Sequence, residues 1–263
     1  MMRPTWPIAF DKIVGFLTKY YFRGEVKGLD NIPDGGALVV GNHSANPVIP
    51  DAFMFAHAYL HHRDDGDPVV GLVHSAAFKV PIIGDFIRRL GGVPASHENA
   101  TLALRNGSKV LVYPGGDWES CRPSSERDRI DFHDRVGFIK LAMRCKVPIV
   151  PVVTAGAHDG FHLFTRGDGI ARALGLKKFL RIGVFPIGLG FPTGIVLGPA
   201  WPFIPLPRKI LIECLPAYAP TGDVNSLDDV RTNYLAVTSA MQHALTKLAM
   251  ELPRSRRRRR GTA

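Results

Sequence analysis

The fold class this sequence predicts is α/β: a mixed, mostly parallel sheet covered by helices and preceded by an amphipathic helix. Two observations carry that expectation. Short apolar runs alternate with helix-like stretches in a βαβα rhythm, and two of those runs break off abruptly at Gly41 and Pro114. Strand-like runs fall near Ala37–Val40, Val69–Val73, Lys109–Tyr113, Ile149–Val153 and Ile210–Cys214. Helix-like stretches fall near Asp51–His62, Ala76–Leu90, Asn99–Arg105, Phe132–Arg144 and Leu227–Glu251. At 263 residues the chain is long enough for a sizeable core and reads as one domain with appendages. Its parts are an amphipathic helix over 1–23, a domain over 24–252 and an arginine-rich tail over 253–263.

Each element has a local reason. From Trp6 to Arg23, apolar and aromatic residues (Ile8, Phe10, Ile13, Val14, Phe16, Leu17, Tyr20, Tyr21) interleave with Lys12, Lys19 and Arg23. That stretch is too short and too charged to span a bilayer comfortably, and it suits either an interfacial lipid contact or a cap on the core. It does not read as a secretory leader, because Asp11 and Lys12 interrupt it and no small-residue cleavage site follows. Ala37–Val40 reads as a buried strand that delivers Asn42 and His43 at its carboxyl end. The segment Phe78–Pro94 reads as a helix that brings Arg88 and Arg89 towards a turn at Gly91-Gly92, then a short extended piece. The final helix is marked by Ser226-Leu-Asp-Asp229, which resembles a capping box, and Pro253 ends it.

One segment departs from the rhythm. Ile182–Pro207 holds no charged residue over 26 positions, yet eleven of them are Gly or Pro. Proline in a helix interior costs ~3 kcal/mol, and irregular backbone is not tolerated against lipid tails. The segment is therefore expected to be apolar strand and loop near the surface, offering Phe185, Phe191, Trp201 and Phe203 to lipid, rather than a membrane span. Burial in the core is the plainer alternative.

The net charge of +10 is uneven, with Arg254 and Arg256–Arg260 supplying six of the positive charges. Such a run is solvated and disordered by itself. It suits RNA or an anionic bilayer, the latter at ~1 kcal/mol per basic residue near the surface. Cys121, Cys145 and Cys214 are widely spaced, which argues against a zinc cage or disulfide framework and fits a reducing cytosol.

The chemistry concentrates at strand ends, where ligands of open α/β sheets bind. His43 can serve there as a general base, with Asp51 orienting the ring and stabilising the imidazolium. The bland alternative is a histidine that only shapes the turn. In Val110–Glu119 a second strand ends at Pro114 and the pair Gly115-Gly116 follows. Glycines let the backbone approach a ligand and turn N–H donors towards a developing oxyanion. Asp117, Glu119 and Arg122 stand just beyond as polar contacts for an acceptor, with Asn42 beside the histidine. Arg88 and Arg89 suit phosphates, or are ordinary exposed helix charges. His57 and His61 at i and i+4, and the His158/His162 pair, have spacing that can bind zinc. Neither shows a third ligand nearby, so surface histidines are the plainer reading and no metal is expected.

Taken in order, Asn42-His43…Asp51, Phe78…Pro81…Gly84…Leu90-Gly91, Tyr113-Pro-Gly-Gly and Val147-Pro-Ile-Val-Pro151 resemble the glycerolipid and lysophospholipid acyltransferase family. That family includes the 1-acylglycerol-3-phosphate acyltransferases. The likeness covers roughly Gly24 to Tyr218. It implies the glycerol-3-phosphate acyltransferase-like fold, a membrane-facing apolar surface and transfer of a fatty acyl group from acyl-CoA or an acyl carrier protein to a lipid hydroxyl. His43 would be the base and Asp51 its partner, with no resident cofactor. The implied place of work is the cytoplasmic face of a membrane, with an anionic surface and a lipid acceptor as partners and no nucleic acid. Three departures stand out. The family's aspartate sits five positions after the histidine, where this chain has Val48. Pro-Glu-Gly-x-Arg is replaced by Pro114-Gly115-Gly116-Asp117-Trp118, and Pro-Gly-Gly-x-x-Glu ending at Glu119 looks more like the diacylglycerol acyltransferase branch. The arginine usual in the second motif is replaced by Ser96 or His97. A catalytically inactive lipid-binding protein of the same fold is the alternative from another class.

Overall fold

A computed structural model describes residues 6–43, 49–62, 68–176, 178, 182–198 and 204–253. Five parallel strands form the body of its main sheet: β2 (Ala37–Gly41), β3 (Val69–Val73), β4 (Gly92–Pro94), β5 (Lys109–Val112) and β6 (Ile149–Ala155). β10 (Leu211–Cys214) runs antiparallel to β6 and carries β1 (Glu25–Lys27) parallel to itself on its outer side. The order is β1-β10-β6-β2-β5-β3-β4, a mixed and mostly parallel sheet as the sequence predicts.

Alternation along β2 divides the core. Leu38 and Val40 face one side, with Val110 and Val153, beneath α4 (His97–Arg105), α6 (Gly137–Cys145) and α8 (Leu227–Glu251). Ala37 and Val39 face the other, with Leu111, Val150 and Val152, beneath α2 (Pro50–His62). Covering both faces explains why the central strands are continuous apolar runs. In register, Val39 lies opposite Leu111 on one flank and Val150 on the other, so β2, β5 and β6 present their carboxyl ends at one edge.

Several boundaries move for identifiable reasons. The amphipathic stretch forms α1 (Ile8–Phe16), then a π-helical turn over Leu17–Tyr21. The Ala76–Leu90 stretch divides into a 3₁₀ turn (Ser75–Lys79) and α3 (Pro81–Arg89). Val80, preceding a proline, is extended at φ −92°, and Pro81 restarts the helix at its first position. The expected Phe132–Arg144 helix begins only at Gly137, because His133 and Asp134 take φ of 52° and 54° in a turn held by the Asp131 carboxylate. Helix α8 matches its expected span. Ser226 accepts the Asp229 N–H, whereas the Asp229 carboxylate accepts from Asp223 and does not complete a reciprocal cap.

The Gly/Pro-rich segment contributes β8 (Ile187–Leu189) and β9 (Val196–Leu197), antiparallel in a second sheet with β7 (His162–Thr165). Val184 and Val196 are buried with Cys121, Phe161 and Leu163, while Leu189, Phe191, Ile195 and Ile204 are exposed. It is thus part core and part apolar surface. Among the described residues no helix is long and apolar enough to cross a membrane. Trp201, Phe203, residues 44–48 with Val48, and the arginines of the tail lie outside the described residues.

Candidate active site

The site is built where β2 and β5 end side by side. Gly41 closes β2, and a Cβ there would lie 2.5 Å from Cε1 of Tyr113, so only glycine lets that ring lie across the strand. The Tyr113 ring in turn flanks His43, with centroids 5.0 Å apart. Asn42 stitches β2 to β6. Its side chain donates to the Thr154 carbonyl at 2.9 Å and accepts the Thr154 N–H at 2.7 Å. Asn42 is 2 % exposed, so its role in the structure is to fix the strand end from which His43 projects.

The backbone of His43 is gripped on both sides. Its N–H donates to Oε2 of Glu119 at 2.8 Å, and its carbonyl accepts from Nη2 of Arg122. Glu119 and Arg122 also pair with each other at 3.3 Å, their side chains 0 % and 1 % exposed. Arg122 donates further to the carbonyls of Glu119 and Arg129. Two fully buried charges hold their place only when paired and hydrogen-bonded, and both conditions are met here. Burial pushes the Glu119 carboxyl up to about 7, opposed by Arg122 and by the amides of His43 and Asp131. Sequence reasoning placed Glu119 and Arg122 among acceptor contacts. In the structure they are interior and touch the histidine's own main chain.

The imidazole of His43 is neutral. Burial and the neighbouring Arg122 charge push its pKa down to about 3, against the opposing pull of Asp117. Its Nδ1 is buried and has no hydrogen-bond partner among the described residues, so that nitrogen makes no hydrogen bond to Asp51. Asp51 itself is 1 % exposed at the start of α2; burial, and after it the charges of Asp51 and Glu119, raise the Tyr113 phenol well above its ordinary pKa.

The glycine turn leads into α5 (Gly116–Ser120). The Gly116 N–H donates to the Tyr113 carbonyl at 3.1 Å, which leaves the Gly115 amide as the one of the pair not spent in closing that turn. Gly116 takes φ +50°, and a side chain on Gly115 would collide with Glu119. Arg135 donates to the carbonyls of Pro114 and Gly115 and to the Asp117 carboxylate at 3.0 Å. Burial opposes ionisation of Asp117, but the Gly183 amide and Arg135 hold its carboxyl below the usual range. Arg135 and Gly183 carried no sequence signal. Thr154 did, as a polar residue in an apolar strand.

Arg88 and Arg89 stand apart. They end α3 before β4, which is separated from β2 by β5 and β3, about 14 Å at the usual strand spacing. Both are exposed, and Arg88 is engaged by Asp85 at 2.8 Å and lies over the Phe78 ring.

Comparison with known proteins places the chain among related sequences and folds. The Acyltransferase family profile matches residues 23–155, which include β2, His43, Asp51 and the Gly115-Gly116 turn. An uncharacterised Mycobacterium tuberculosis protein is 33 % identical over 216 residues, 80 % of this chain and 57 % of the relative. The chicken and human proteins described as "DGAT1/2-independent enzyme synthesizing storage lipids" are 32 % and 31 % identical. They align over 64 % and 69 % of this chain and 48 % and 54 % of theirs, so the chain spans about half the length of the curated relatives it matches. The crystal structure of the 1-acyl-sn-glycerophosphate acyltransferase PlsC from Thermotoga maritima shares the fold. Its TM-score is 0.53 at 20 % identity, over 90 % of this chain and 79 % of that one. The chain belongs to the acyltransferase family.

Proposed function

We propose that this protein moves a fatty acyl group from a thioester, acyl-CoA or an acyl carrier protein, to a hydroxyl of a lysophospholipid or other glycerolipid. It works as a peripheral enzyme on the cytoplasmic face of a membrane. His43 takes the hydroxyl proton while the acceptor oxygen attacks the thioester carbonyl. The C–S bond then breaks, the ester forms, and the imidazolium returns its proton to the departing thiolate. No acyl-enzyme is required. The Gly115 N–H is the donor offered to the oxyanion. Asp117 is the carboxylate whose charge favours the imidazolium, the balancing role that the resemblance implied for Asp51. An acceptor with an anionic headgroup would raise the base strength of His43 further as it binds.

The observation that carries this reading is a neutral imidazole presented beside the glycine turn by a two-sided grip on its backbone. The surroundings support lipid chemistry. Ile8, Ile13 and Phe16 on α1 and Ile82 and Ile83 on α3 are exposed, and Phe10 and Phe86 join the two helices at 5.1 Å between centroids. Arg88 and Arg89 share α3 with those isoleucines and are suited to anionic headgroups. A cavity of about 440 Å³ between α1, α2 and Ile204-Pro205, lined by Phe10, Leu17, Phe53 and Met54, suits an acyl chain. The test is lipid mass spectrometry after incubation with labelled acyl-CoA and a mixed acceptor pool. Loss of general-base help in His43→Ala should lower turnover by about 10²–10⁴-fold. Equal turnover by variant and wild type would reject the catalytic role and favour a lipid-binding protein.

A further inference from the structure

Helix α1 is aromatic and apolar, yet it carries an aspartate in its first turn. The structure accounts for it. Asp11 faces two histidines on α2: its Oδ1 lies 3.0 Å from Nδ1 of His57, and its Oδ2 lies 3.0 Å from Nε2 of His61. These atoms all lie within 4.8 Å of one another. His57 and His61 form the i,i+4 pair that lacked a third ligand in the sequence. Packing of α1 on α2 brings that ligand from 46 residues away. Gly15 belongs to the arrangement, since a Cβ there would stand 3.1 Å from Nε2 of His57 and crowd the ring against α1.

We propose that Asp11, His57 and His61 form a site for a divalent transition metal of the zinc class, which clips the N-terminal helix to α2. The ring nitrogens aimed at the carboxylate are the atoms a cation would use. Moving each ring's proton to its other nitrogen turns an N–H donor into a lone pair pointing the same way. Zinc binds imidazole nitrogen and carboxylate oxygen at about 2.0–2.1 Å in tetrahedral sites. Such lengths set ligand atoms roughly 3.3 Å apart, so the present separations need to widen by only a few tenths of an ångström. The His61 side chain is 59 % exposed, which opens the fourth position to water. Imidazole and carboxylate without thiolate suit zinc, nickel or copper better than magnesium or calcium. The clip would fix α1 where Phe10, Ile13 and Val14 wall the apolar cavity against Phe53 and Met54. The site stands on its own geometry and does not depend on the acyl-transfer reading.

The test uses full-length, tag-free protein stripped with a chelator and titrated with Zn²⁺ alone by calorimetry, with Co²⁺ as the optical probe. Expected are one Zn²⁺ per chain, a raised unfolding temperature, and the intense visible absorption of tetrahedral Co²⁺ without a thiolate charge-transfer band. Asp11→Asn, which keeps an acceptor for the histidines, and His61→Ala, at an exposed position, should each weaken Zn²⁺ binding at least tenfold with unchanged circular dichroism. Equal affinity in wild type and Asp11→Asn, or no binding below about 1 mM, would overturn the proposal.

Discussion

His43→Gln tests the electrostatics of the site through stability alone, without a substrate. Glutamine removes the imidazole and leaves the backbone hydrogen bonds to Glu119 and Arg122 intact. In the folded chain the imidazole has a pKa of about 3, against 6.5 when unperturbed. A depressed histidine binds fewer protons folded than unfolded. Its penalty is therefore absent above about pH 6.5 and accumulates as pH falls, until the folded form protonates near pH 3. At pH 4.5, about two pH units below the unfolded pKa, that is on the order of 3 kcal/mol lost from the wild type and not from the variant. Glu119 acts with the opposite sign. Its carboxyl is raised to about 7 from 4.5, so the folded state binds its proton more tightly and gains stability as pH falls through that window. The two effects partly cancel in the wild type, which is why the variant is needed. Urea unfolding of both proteins at pH 7.5 and 4.5 yields the double difference, in which the effect of Glu119 drops out. A double difference below about 1 kcal/mol, or a His43 ring resonance titrating near its ordinary pKa, would refute the neutral, desolvated imidazole.

Two further outcomes follow from the packing. Arg122→Met strands the Glu119 carboxylate and removes the donor to the His43 carbonyl; breaking a buried pair in this way costs about 3–5 kcal/mol at pH 8, read from urea midpoints. That cost should shrink near pH 5, where Glu119 takes up a proton. Gly41→Ala forces a methyl into the Tyr113 ring and should destabilise by about 1–3 kcal/mol in thermal unfolding, with the loss reduced by a second change, Tyr113→Ala, that removes the ring.

The parts of the site that were legible in the sequence are those fixed by local chemistry. Ala37–Val40 and Val110–Val112 are uniformly apolar because both faces of the sheet are covered, and glycine or proline stops each run. Two parallel neighbours ending at the same edge place His43 and Gly115 together by topology, which an alternating strand and helix pattern already implies. Element ends were less legible where one residue overrides a stretch. Pro81 divided a predicted helix, and the left-handed turn at His133-Asp134 delayed another. Neither effect appears in apolar periodicity.

Partner choice among polar side chains was beyond the sequence. Residue type and spacing offered Asp51 for the His43 ring and Glu119 and Arg122 for a substrate. Among the described residues Nδ1 has no hydrogen-bond partner, and Glu119 and Arg122 close on the histidine's peptide groups. The reason is desolvation: a buried carboxylate or guanidinium must satisfy its hydrogen bonds with whatever the packed chain brings within about 3 Å. The same holds for Asp11, 46 positions before His57 and meeting it only because α1 lies on α2. Sequence by itself determined the layered α/β fold, the strand-end histidine and the glycine turn, since these follow from hydrophobic burial and backbone freedom along a few neighbouring residues. Only the tertiary structure decided which charges meet, because that depends on contacts between residues far apart in the chain.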